Sequence, residues 1–479
     1  MFRCSAFVFR AVSRMAMLAM TLLAGVPAGV QGQDRPPTKW QAMAREILAE
    51  LIAINTTEAN GSTTQAAEVL RGRLLAAGFP AGDVVVVGDA PRKGNLVARM
   101  RGRETGRAPI LLLAHLDVVE AHPEDWTLPP FELIERDGIF YGRGTADDKD
   151  EAAIHVTNLI RMKEEGFVPD RDIIVALTAD EEGGPDNGVR WLLANRRELI
   201  DAEFAFNEGG GGLLDEAGRP VANTVQASEK KVQNFTLEAT NPGGHSSRPR
   251  PDNAIYDLAG ALVRIGQHAW PVRLNEVTRA FLERQATLVD AETARAMRAL
   301  LVNPADAAAT QHLARTSHYN AILRTTCVAT LIEGGHARNA LPQRAQATVN
   351  CRILPDESPD DVQRALVAAA GENVTVTPVS RATDSPPSPL REDVLGIIEG
   401  LTNEMWPGVP VVPIMSTGAT DGLFLRNAGI PVYGVSGLFY GETFSHGMNE
   451  RIPVQAFHDG LEFLYRLVVR VAGGRSTAP

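Results

Sequence analysis

Helical and strand-like patterns alternate along the first part of the chain. Apolar residues recur every three to four positions in 40–55, 150–166 and 188–199, which predicts amphipathic helices. Between these helices, 108–119 and 172–179 are nearly continuous apolar runs, which are typical of buried strands. Strands that alternate with helices indicate an α/β fold with a mostly parallel sheet and helices on both faces. In such sheets, ligands bind beyond the carboxyl ends of the strands.

The middle of the chain has a different pattern. Residues 233–241 alternate apolar and polar side chains, as a strand with one exposed face does. Further segments follow in the order helix 253–266, helical stretch 275–314, strand 325–335, strand 344–354 and helix 359–371. This combination predicts an inserted α+β domain with an antiparallel sheet. After the Pro- and Ser-rich connector at 382–390, the patterns of a parallel sheet resume.

These patterns divide the chain into four predicted segments. They are a signal peptide (1–32), the first part of a catalytic domain (33–229), an inserted lid or dimerisation domain (230–381) and the second part of the catalytic domain (382–479). The inserted segment has the size of an ordinary single domain.

The N-terminus has the composition of a secretory signal. Arg3, Arg10 and Arg14 accompany an apolar core at 15–26, and small residues follow, so we expect cleavage near Gly32. The mature protein is then secreted, and we expect it in the periplasm with no membrane partner. An uncleaved membrane anchor is the alternative. No other segment is long and apolar enough to cross a bilayer.

Composition narrows the function further. The chain has 479 residues and a net charge of −11, which argues against nucleic acid as a partner. Its content of 44% apolar and 22% charged residues is ordinary for a soluble globular protein. Cys327 and Cys351 either pair in an oxidising compartment or stay as two buried thiols, and we favour the thiols. Neither cysteine has the spacing of a zinc thiolate site.

Acids and histidines follow the predicted strand ends. His115 ends one strand, and Asp117 shares its face two residues on, where a carboxylate can orient the imidazole. Three consecutive acids follow the strand at 172–179, and like charges repel unless a cation lies between them. The residues with metal-ligand chemistry at these ends are His115, Asp147, Asp148, Glu181, Glu182, Glu208 and His446. Nitrogen and oxygen donors together favour a two-metal site, with zinc as the expected ion and cobalt or manganese as alternatives.

Each of these residues alone also fits an ordinary structural role. A histidine after a strand is usually a core or surface residue, and acids at a strand end often begin a helix or a solvated loop. The glycine run at 209–212 is often only a linker. The prediction of a metal site therefore depends on the occurrence of all these residues at the strand ends of one sheet.

The set of motifs resembles metallopeptidase family 20, which includes carboxypeptidase S, glutamate carboxypeptidase, aminoacylase-1, acetylornithine deacetylase and succinyl-diaminopimelate desuccinylase. The motifs that carry the resemblance are AHLDVV, YGRGTADDK, TADEEGG, NEGGG, GGHSSRPRPDNAI, GGHARNALPQRAQATVNCRILP, STGATD and SHGMNERI, from about residue 110 to residue 452. NEGGG and RTTCVATLIEGGHARNALP are most similar to the carboxypeptidase S branch. Relatives commonly have glycine after DDK, whereas this chain has Asp150, a difference that removes no ligand.

The resemblance implies a role for each residue of the metal site. One zinc would be held by His115, Asp147 and Glu208, and the other by Asp147, Glu182 and His446. Asp147 would therefore bridge the ions, and Asp148 would not be a ligand. Asp117 would orient His115, and Glu181 would be the general base that takes a proton from the water between the metals and passes it to the leaving amine.

The resemblance also implies residues that contact the substrate. His245 would stabilise the oxyanion, often from the partner subunit of a homodimer. Asn339, Arg352 and the backbone N–H of Gly418 would bind the free carboxylate of the substrate. Without the resemblance, His245 is a loop histidine, Asn339 a turn residue and Arg352 a member of a surface ion pair.

We therefore expect a secreted di-zinc enzyme of carboxypeptidase type. It would hydrolyse the amide bond of short peptides or N-acyl amino acids next to a free α-carboxylate. An N-acyl-amino-acid deacylase would use the same residues, and nothing in the sequence separates the two activities. The alternative outside enzymes is a non-catalytic metal- or peptide-binding protein, which would need no base such as Glu181 beside the metal.

Overall fold

The computed structural model describes residues 37–103 and 106–476, so the predicted signal peptide lies outside the described residues. The α-helices are α1 (Lys39–Ala53), α2 (Thr63–Ala76), α3 (Lys149–Glu164), α4 (Gly188–Asn195), α5 (Ala254–Gly266), α6 (Glu276–Gln285), α7 (Ala291–Val302), α8 (Ala307–Leu313), α9 (Ser317–Leu323), α10 (Pro359–Ala370), α11 (Glu392–Met405), α12 (Gly422–Asn427) and α13 (Val454–Ala472). None of these helices, within the described ranges, is long and apolar enough to span a membrane.

The strands are β1 (Val84–Val87), β2 (Asn95–Met100), β3 (Ile110–His115), β4 (Ile134–Arg136), β5 (Ile139–Tyr141), β6 (Phe167–Val168), β7 (Ile173–Thr178), β8 (Phe204–Asn207), β9 (Gly212–Leu214), β10 (Pro220–Glu229), β11 (Lys231–Thr240), β12 (Gly244–His245), β13 (Thr326–Gly334), β14 (Ala340–Leu341), β15 (Arg344–Ile353), β16 (Thr375–Pro378), β17 (Val411–Ser416), β18 (Val432–Gly434), β19 (Arg451–Pro453) and β20 (Arg475–Ser476). Most of them belong to one large and one smaller sheet.

The main sheet has the strand order β1-β2-β7-β3-β8-β18-β10-β17, and β9 pairs with β10. Its centre is parallel, because β7, β3, β8 and β18 run in one direction. The pair β10 and β17 is also parallel, while β1–β2, β2–β7 and β10–β18 are antiparallel. The prediction of an α/β fold around a largely parallel sheet is confirmed.

Helices cover both faces of the main sheet. Along β3, Ile110 and Leu112 belong to the apolar cluster that contains α1, α3, α11 and α13. Leu111 and Leu113 belong to the cluster on the opposite face, with α4 and α12. Because successive side chains of a strand point to opposite faces, this alternation explains the continuous apolar run in the sequence.

The smaller sheet is antiparallel and has the order β13-β15-β11-β16. Helices α5 and α10 pack on one face, where Phe235, Leu237 and Ala239 of β11 are buried. All four strands lie within 231–378, inside the segment predicted to be inserted. The boundaries at 230 and 381 stay a prediction.

The helical stretch at 275–314 is three helices rather than one. Asp290 accepts backbone N–H bonds from the first turn of α7, and Asp306 accepts one from the first turn of α8. Such caps begin new helices within a sequence that is helical throughout. Buried residues of this segment, such as Val277 and Phe281, pack in the main cluster and not in that of the antiparallel sheet.

The two cysteines form a disulfide, which corrects the expectation of two buried thiols. Cys327 on β13 lies directly opposite Cys351 on β15, and their Cα atoms are 4.1 Å apart. The register of two antiparallel strands decides this pairing, and the register cannot be read from either strand alone.

Candidate active site

The predicted catalytic residues gather at one edge of the main sheet. The neighbouring parallel strands β7, β3 and β8 all end there. His115 is the last residue of β3, Glu181 and Glu182 follow β7, and Glu208 follows β8. This edge is the place at which α/β sheets bind ligands.

Two loops complete the cluster with Asp147 and His446. His115 Nε2 lies 3.0 Å from Asp147 Oδ1, while His446 Nε2 lies 3.1 Å from Asp147 Oδ2. His446 Nε2 also lies 3.0 Å from Glu182 Oε2. Ligand atoms lie within 4.8 Å of one another in two groups, His115 with Asp147 and Glu182, and His115 with Glu181 and Glu208. The structure therefore brings all five predicted ligands and the predicted base together. We refer to these six residues as the acid–histidine cluster.

Asp117 holds both the imidazole and the loop after β7. The backbone oxygen of Asp117 lies 3.0 Å from His115 Nδ1, and its carboxylate lies 3.7 Å from the same nitrogen. The carboxylate also accepts backbone N–H bonds from Glu181 at 3.2 Å and Glu182 at 3.0 Å. Asp148 makes a similar contact, because its carboxylate accepts the backbone N–H of His115 at 3.2 Å. Both acids thus position the cluster.

The charges of the cluster are poorly balanced by the chain itself. Burial and the neighbouring charge of Asp147 raise the pKa of Glu182 to about 7 and the pKa of Glu208 to about 8. Burial opposes the ionisation of Asp147, but hydrogen bonds from the two histidines lower its pKa. Crowded carboxylates with raised pKa values are stabilised by a cation, and the nitrogen and oxygen donors suit zinc or a similar divalent ion.

A buried ion pair joins the loops that carry Asp147 and His446. Arg143 Nη1 lies 2.6 Å from Glu450 Oε2, and both side chains are almost fully buried. The other oxygen of Glu450 accepts two backbone N–H groups of the loop before Asp147, at 3.1 and 2.9 Å. Arg143 also donates to the carbonyl of the residue after His446 at 2.9 Å. Arg143 and Glu450 lie in the motifs YGRGTADDK and SHGMNERI, but neither motif alone indicates that the two residues pair.

Asp180, the first of the three consecutive acids, is not a member of the cluster and has partners of its own. It forms a buried ion pair with Lys93, and its second oxygen accepts the N–H of Asp186 at 3.1 Å. The amide of Asn187 donates to the carbonyl of Asp180 at 3.2 Å and to the carboxylate of Asp421 at 2.6 Å. Lys93 and Asp421 were not predicted as partners of this segment because both are distant from it in the chain. A buried acid signals that a partner exists but does not identify it.

The predicted substrate-binding residues lie on other elements than the cluster residues. His245 is exposed on β12, which pairs with β14 directly after Asn339. Arg352 lies on β15, and the N–H of Gly418 donates to Ser416 Oγ at 3.0 Å. Within the described residues, none of these four predicted residues hydrogen-bonds to the acid–histidine cluster. Their roles towards a substrate stay predictions.

A cavity of about 600 Å³ adjoins the cluster. Asp147 and Glu208 belong to its wall, and Phe281, Ile322 and Ile414 are among the apolar residues that line it. We call this cavity the inner chamber. Its volume and its mostly apolar wall with a few polar groups are typical of small-molecule sites.

A carboxylate–histidine cluster at the parallel edge of this sheet suits the chemistry of a metallopeptidase or a related amidohydrolase. The chain belongs to peptidase family M20/M25/M40, whose model matches residues 111–470. This finding confirms the resemblance seen in the motifs.

Relatives and solved structures agree with this assignment. The human protein "N-fatty-acyl-amino acid synthase/hydrolase PM20D1" is 31% identical over 383 residues, which are 77% of this chain and 75% of the relative. "Probable carboxypeptidase S-like 2" of Dictyostelium discoideum is 27% identical over 78% of this chain and 74% of the relative. The crystal structure of an M20 family metallo-carboxypeptidase, Sso-CP2 from Sulfolobus solfataricus, has the same fold, with a TM-score of 0.66, 20% identity and coverage of 90% of this chain and 99% of that one.

Proposed function

We propose that the chain hydrolyses the amide bond of N-acyl amino acids next to a free α-carboxylate, with two bound divalent metal ions. The observation that carries this proposal is the position of the acid–histidine cluster beside an apolar chamber. An acyl group needs an apolar site, and the scissile amide must lie at the metal centre. The name of the human relative, an N-fatty-acyl-amino acid synthase/hydrolase, supports the same substrate class.

The donor set fits a pair of zinc ions. Two imidazole nitrogens and three carboxylates are available, and Asp147 lies between both histidines, where a bridging ligand would lie. We propose His115, Asp147 and Glu208 for one ion and Asp147, Glu182 and His446 for the other. When bound, such ions lower the pKa of water towards neutrality and polarise a carbonyl.

Glu181 is the residue that we assign to proton transfer. It lies beside the proposed ligand Glu182, and its carboxylate groups with His115 and Glu208 within 4.8 Å. Burial and the charge of Glu208 raise the pKa of Glu181 well above its usual value, which suits a group that accepts a proton and gives it to the leaving amine. The hydrogen bond from its N–H to Asp117 fixes the position of the loop.

A carboxypeptidase acting on short peptides is the second candidate. Asp150 and Glu151 line the chamber, and Asp150 Oδ1 is buried without a hydrogen-bond partner among the described residues. Two carboxyl groups near the cluster could accept the free α-ammonium of a peptide substrate. The relative named as a carboxypeptidase S-like protein supports this activity.

We further propose secretion and a homodimer. The disulfide between Cys327 and Cys351 is typical of an oxidising compartment, which supports the predicted signal peptide at 1–32. At the edge of the antiparallel sheet, β13 exposes Val328, Leu331 and Ile332 by 58–69%. Exposed apolar residues on an edge strand are typical of an interface. Leu331→Glu should therefore convert a dimer to a monomer in light scattering, and a wild-type monomer would refute the dimer.

The test of function is a hydrolysis assay with the purified zinc-loaded protein. N-acetyl and longer N-acyl amino acids and dipeptides are offered, and release of free amino acid is measured with and without a chelator. Glu181→Gln should lower kcat by about 10²–10⁴-fold while the metal content stays unchanged. The matched control is Glu216→Gln, which changes an exposed acid and should have wild-type activity. Equal kcat values for both variants would refute the role of Glu181, and metal binding without any hydrolysis would favour a binding protein.

A further inference from the structure

We infer that the helical segment 276–323 forms the acyl-chain site and sets the length of acyl chain that the enzyme accepts. This inference rests on the proposed function, and it assigns the part of the inner chamber lined by α6 and α9 to the acyl chain. The occupant is a linear aliphatic chain of the N-acyl group. The residues that carry the argument are Phe281, Ile322, Val412 and Ile414.

Residues at regular spacings on α6, β17 and α9 line this part of the chamber. Thr278, Phe281 and Gln285 of α6 line the chamber, and residues three and four apart lie on one helix face. Val412 and Ile414 of β17 line it as well, and alternate residues share one face of a strand. This part of the chamber wall is therefore made by a helix and a strand, while loop residues such as Gly210 and Ser445 line other parts of it.

Helix α9 closes the chamber with aromatic and aliphatic side chains. Ile322 is 3% exposed and lines the cavity, as do His318 and Tyr319 one turn earlier. The rings of His318 and Tyr319 each lie 6.3 Å from that of Phe281, which joins α9 to α6. None of the residues named on this wall is a lysine, arginine, aspartate or glutamate, so an acyl chain can leave water here without desolvating a carboxylate or a basic side chain.

The polar end of the chamber lies at the acid–histidine cluster. Glu151 lines the chamber, and the charges of Asp150, Glu208 and Asp147 act on its pKa, so these acids are neighbours. An N-acyl amino acid bound with its amide at this end would extend its acyl chain towards α6 and α9. A peptide substrate with a free α-ammonium would instead keep that group beside the acids. The rest of the chamber would then contribute little to its binding.

The inference is tested with N-acyl methionines that carry saturated chains of 2 to 16 carbons. Each additional CH₂ that enters the chamber should raise kcat/KM about fourfold until the chamber is full, which corresponds to about 0.8 kcal/mol per buried CH₂. Ile322→Trp fills part of the chamber and should lower the ratio of kcat/KM for the 12-carbon to that for the 2-carbon substrate at least tenfold. Phe281→Ala enlarges it and should move the optimum to longer chains. Because each ratio is measured within one variant, a loss of folded protein does not affect it.

The control is Val302→Trp, a bulky substitution in the same helical segment at a side chain that is 89% exposed. It should have the wild-type chain-length profile. A flat wild-type profile, identical profiles for all four proteins, or faster hydrolysis of dipeptides than of every long-chain substrate would overturn the inference.

A binding experiment separates this inference from the proposed function. Calorimetry with hexanoate, octanoate and dodecanoate on the zinc-loaded protein should show affinity that rises about fourfold per CH₂, and Ile322→Trp should remove the rise. If no N-acyl amino acid is hydrolysed but this rise is seen, the proposed function fails and the chamber assignment stands. If N-acetylmethionine is hydrolysed but fatty-acid affinity is independent of length, the chamber assignment fails alone.

Discussion

Removal of the Glu450 carboxylate tests whether the buried ion pair with Arg143 supports the metal site. Glu450 is fully buried and the side chain of Arg143 is 2% exposed, so Glu450→Ala would leave a guanidinium in the interior without its carboxylate. Arg143 Nε already has no hydrogen-bond partner among the described residues. Loss of one partner of a buried pair costs about 3–5 kcal/mol of unfolding free energy. Because the pair also joins the loops of Asp147 and His446, zinc affinity should fall about 10–100-fold.

Two assays measure these effects. Urea unfolding of the metal-free protein gives the free energy, and competition with a chromogenic chelator gives the zinc affinity. The control is Glu135→Ala, which removes the partner of Arg45 in a pair that is nearly half exposed on both sides and is expected to change stability by about 0–1 kcal/mol. If Glu450→Ala behaves like Glu135→Ala in both assays, the ion pair does not support the loops.

Three further predictions concern stability, and urea unfolding measures each of them. The pKa of Glu208 is raised from 4.5 to about 8. Between these pH values the folded metal-free protein keeps a proton that the unfolded chain has lost. Its unfolding free energy should therefore fall as the pH rises from about 4.5 to about 8. Saturating zinc should remove this decline, and a metal-free protein that becomes more stable over the same range would contradict the assignment. Reduction of the disulfide Cys327–Cys351, whose sequence separation is 24, should cost about 3 kcal/mol, and no change with a thiol reductant would show that the cross-link is not formed. Lys93→Ala should cost about 3 kcal/mol because Asp180 stays buried, and the double variant with Asp180→Asn should recover part of that loss.

The sequence predicted many of the strands and helices well because their signals are local. A buried parallel strand such as 110–115 is an apolar run whatever its neighbours are, and an amphipathic helix such as 254–266 shows its own period. The segment 275–314 was predicted as one stretch because helical composition continues through the caps at Asp290 and Asp306. The position of these helices against the main cluster depends on tertiary packing, which no local pattern contains.

The site was predictable to the extent that its residues follow strands. The sheet brings His115, Glu182 and Glu208 together because their strands are neighbours, and strand ends are visible in the sequence. The residues that hold the site in place were not predictable in the same way. Arg143 and Glu450 are separated by about 300 positions, and their pairing follows from the loops that they join.

The distribution of cations around the site supports the presence of metal. Three buried acids outside the cluster each have a basic partner: Asp180 pairs with Lys93, Glu450 with Arg143, and Glu229 with Arg426. In the acid–histidine cluster, Glu181, Glu182 and Glu208 have no lysine or arginine partner among the described residues. Their charge must then be balanced by protons or by bound cations, since burial of several unpaired carboxylates is costly. Protons and metal ions therefore compete for the same oxygens. Zinc should bind more tightly as the pH rises, and this should occur over the pH range in which the metal-free protein becomes less stable.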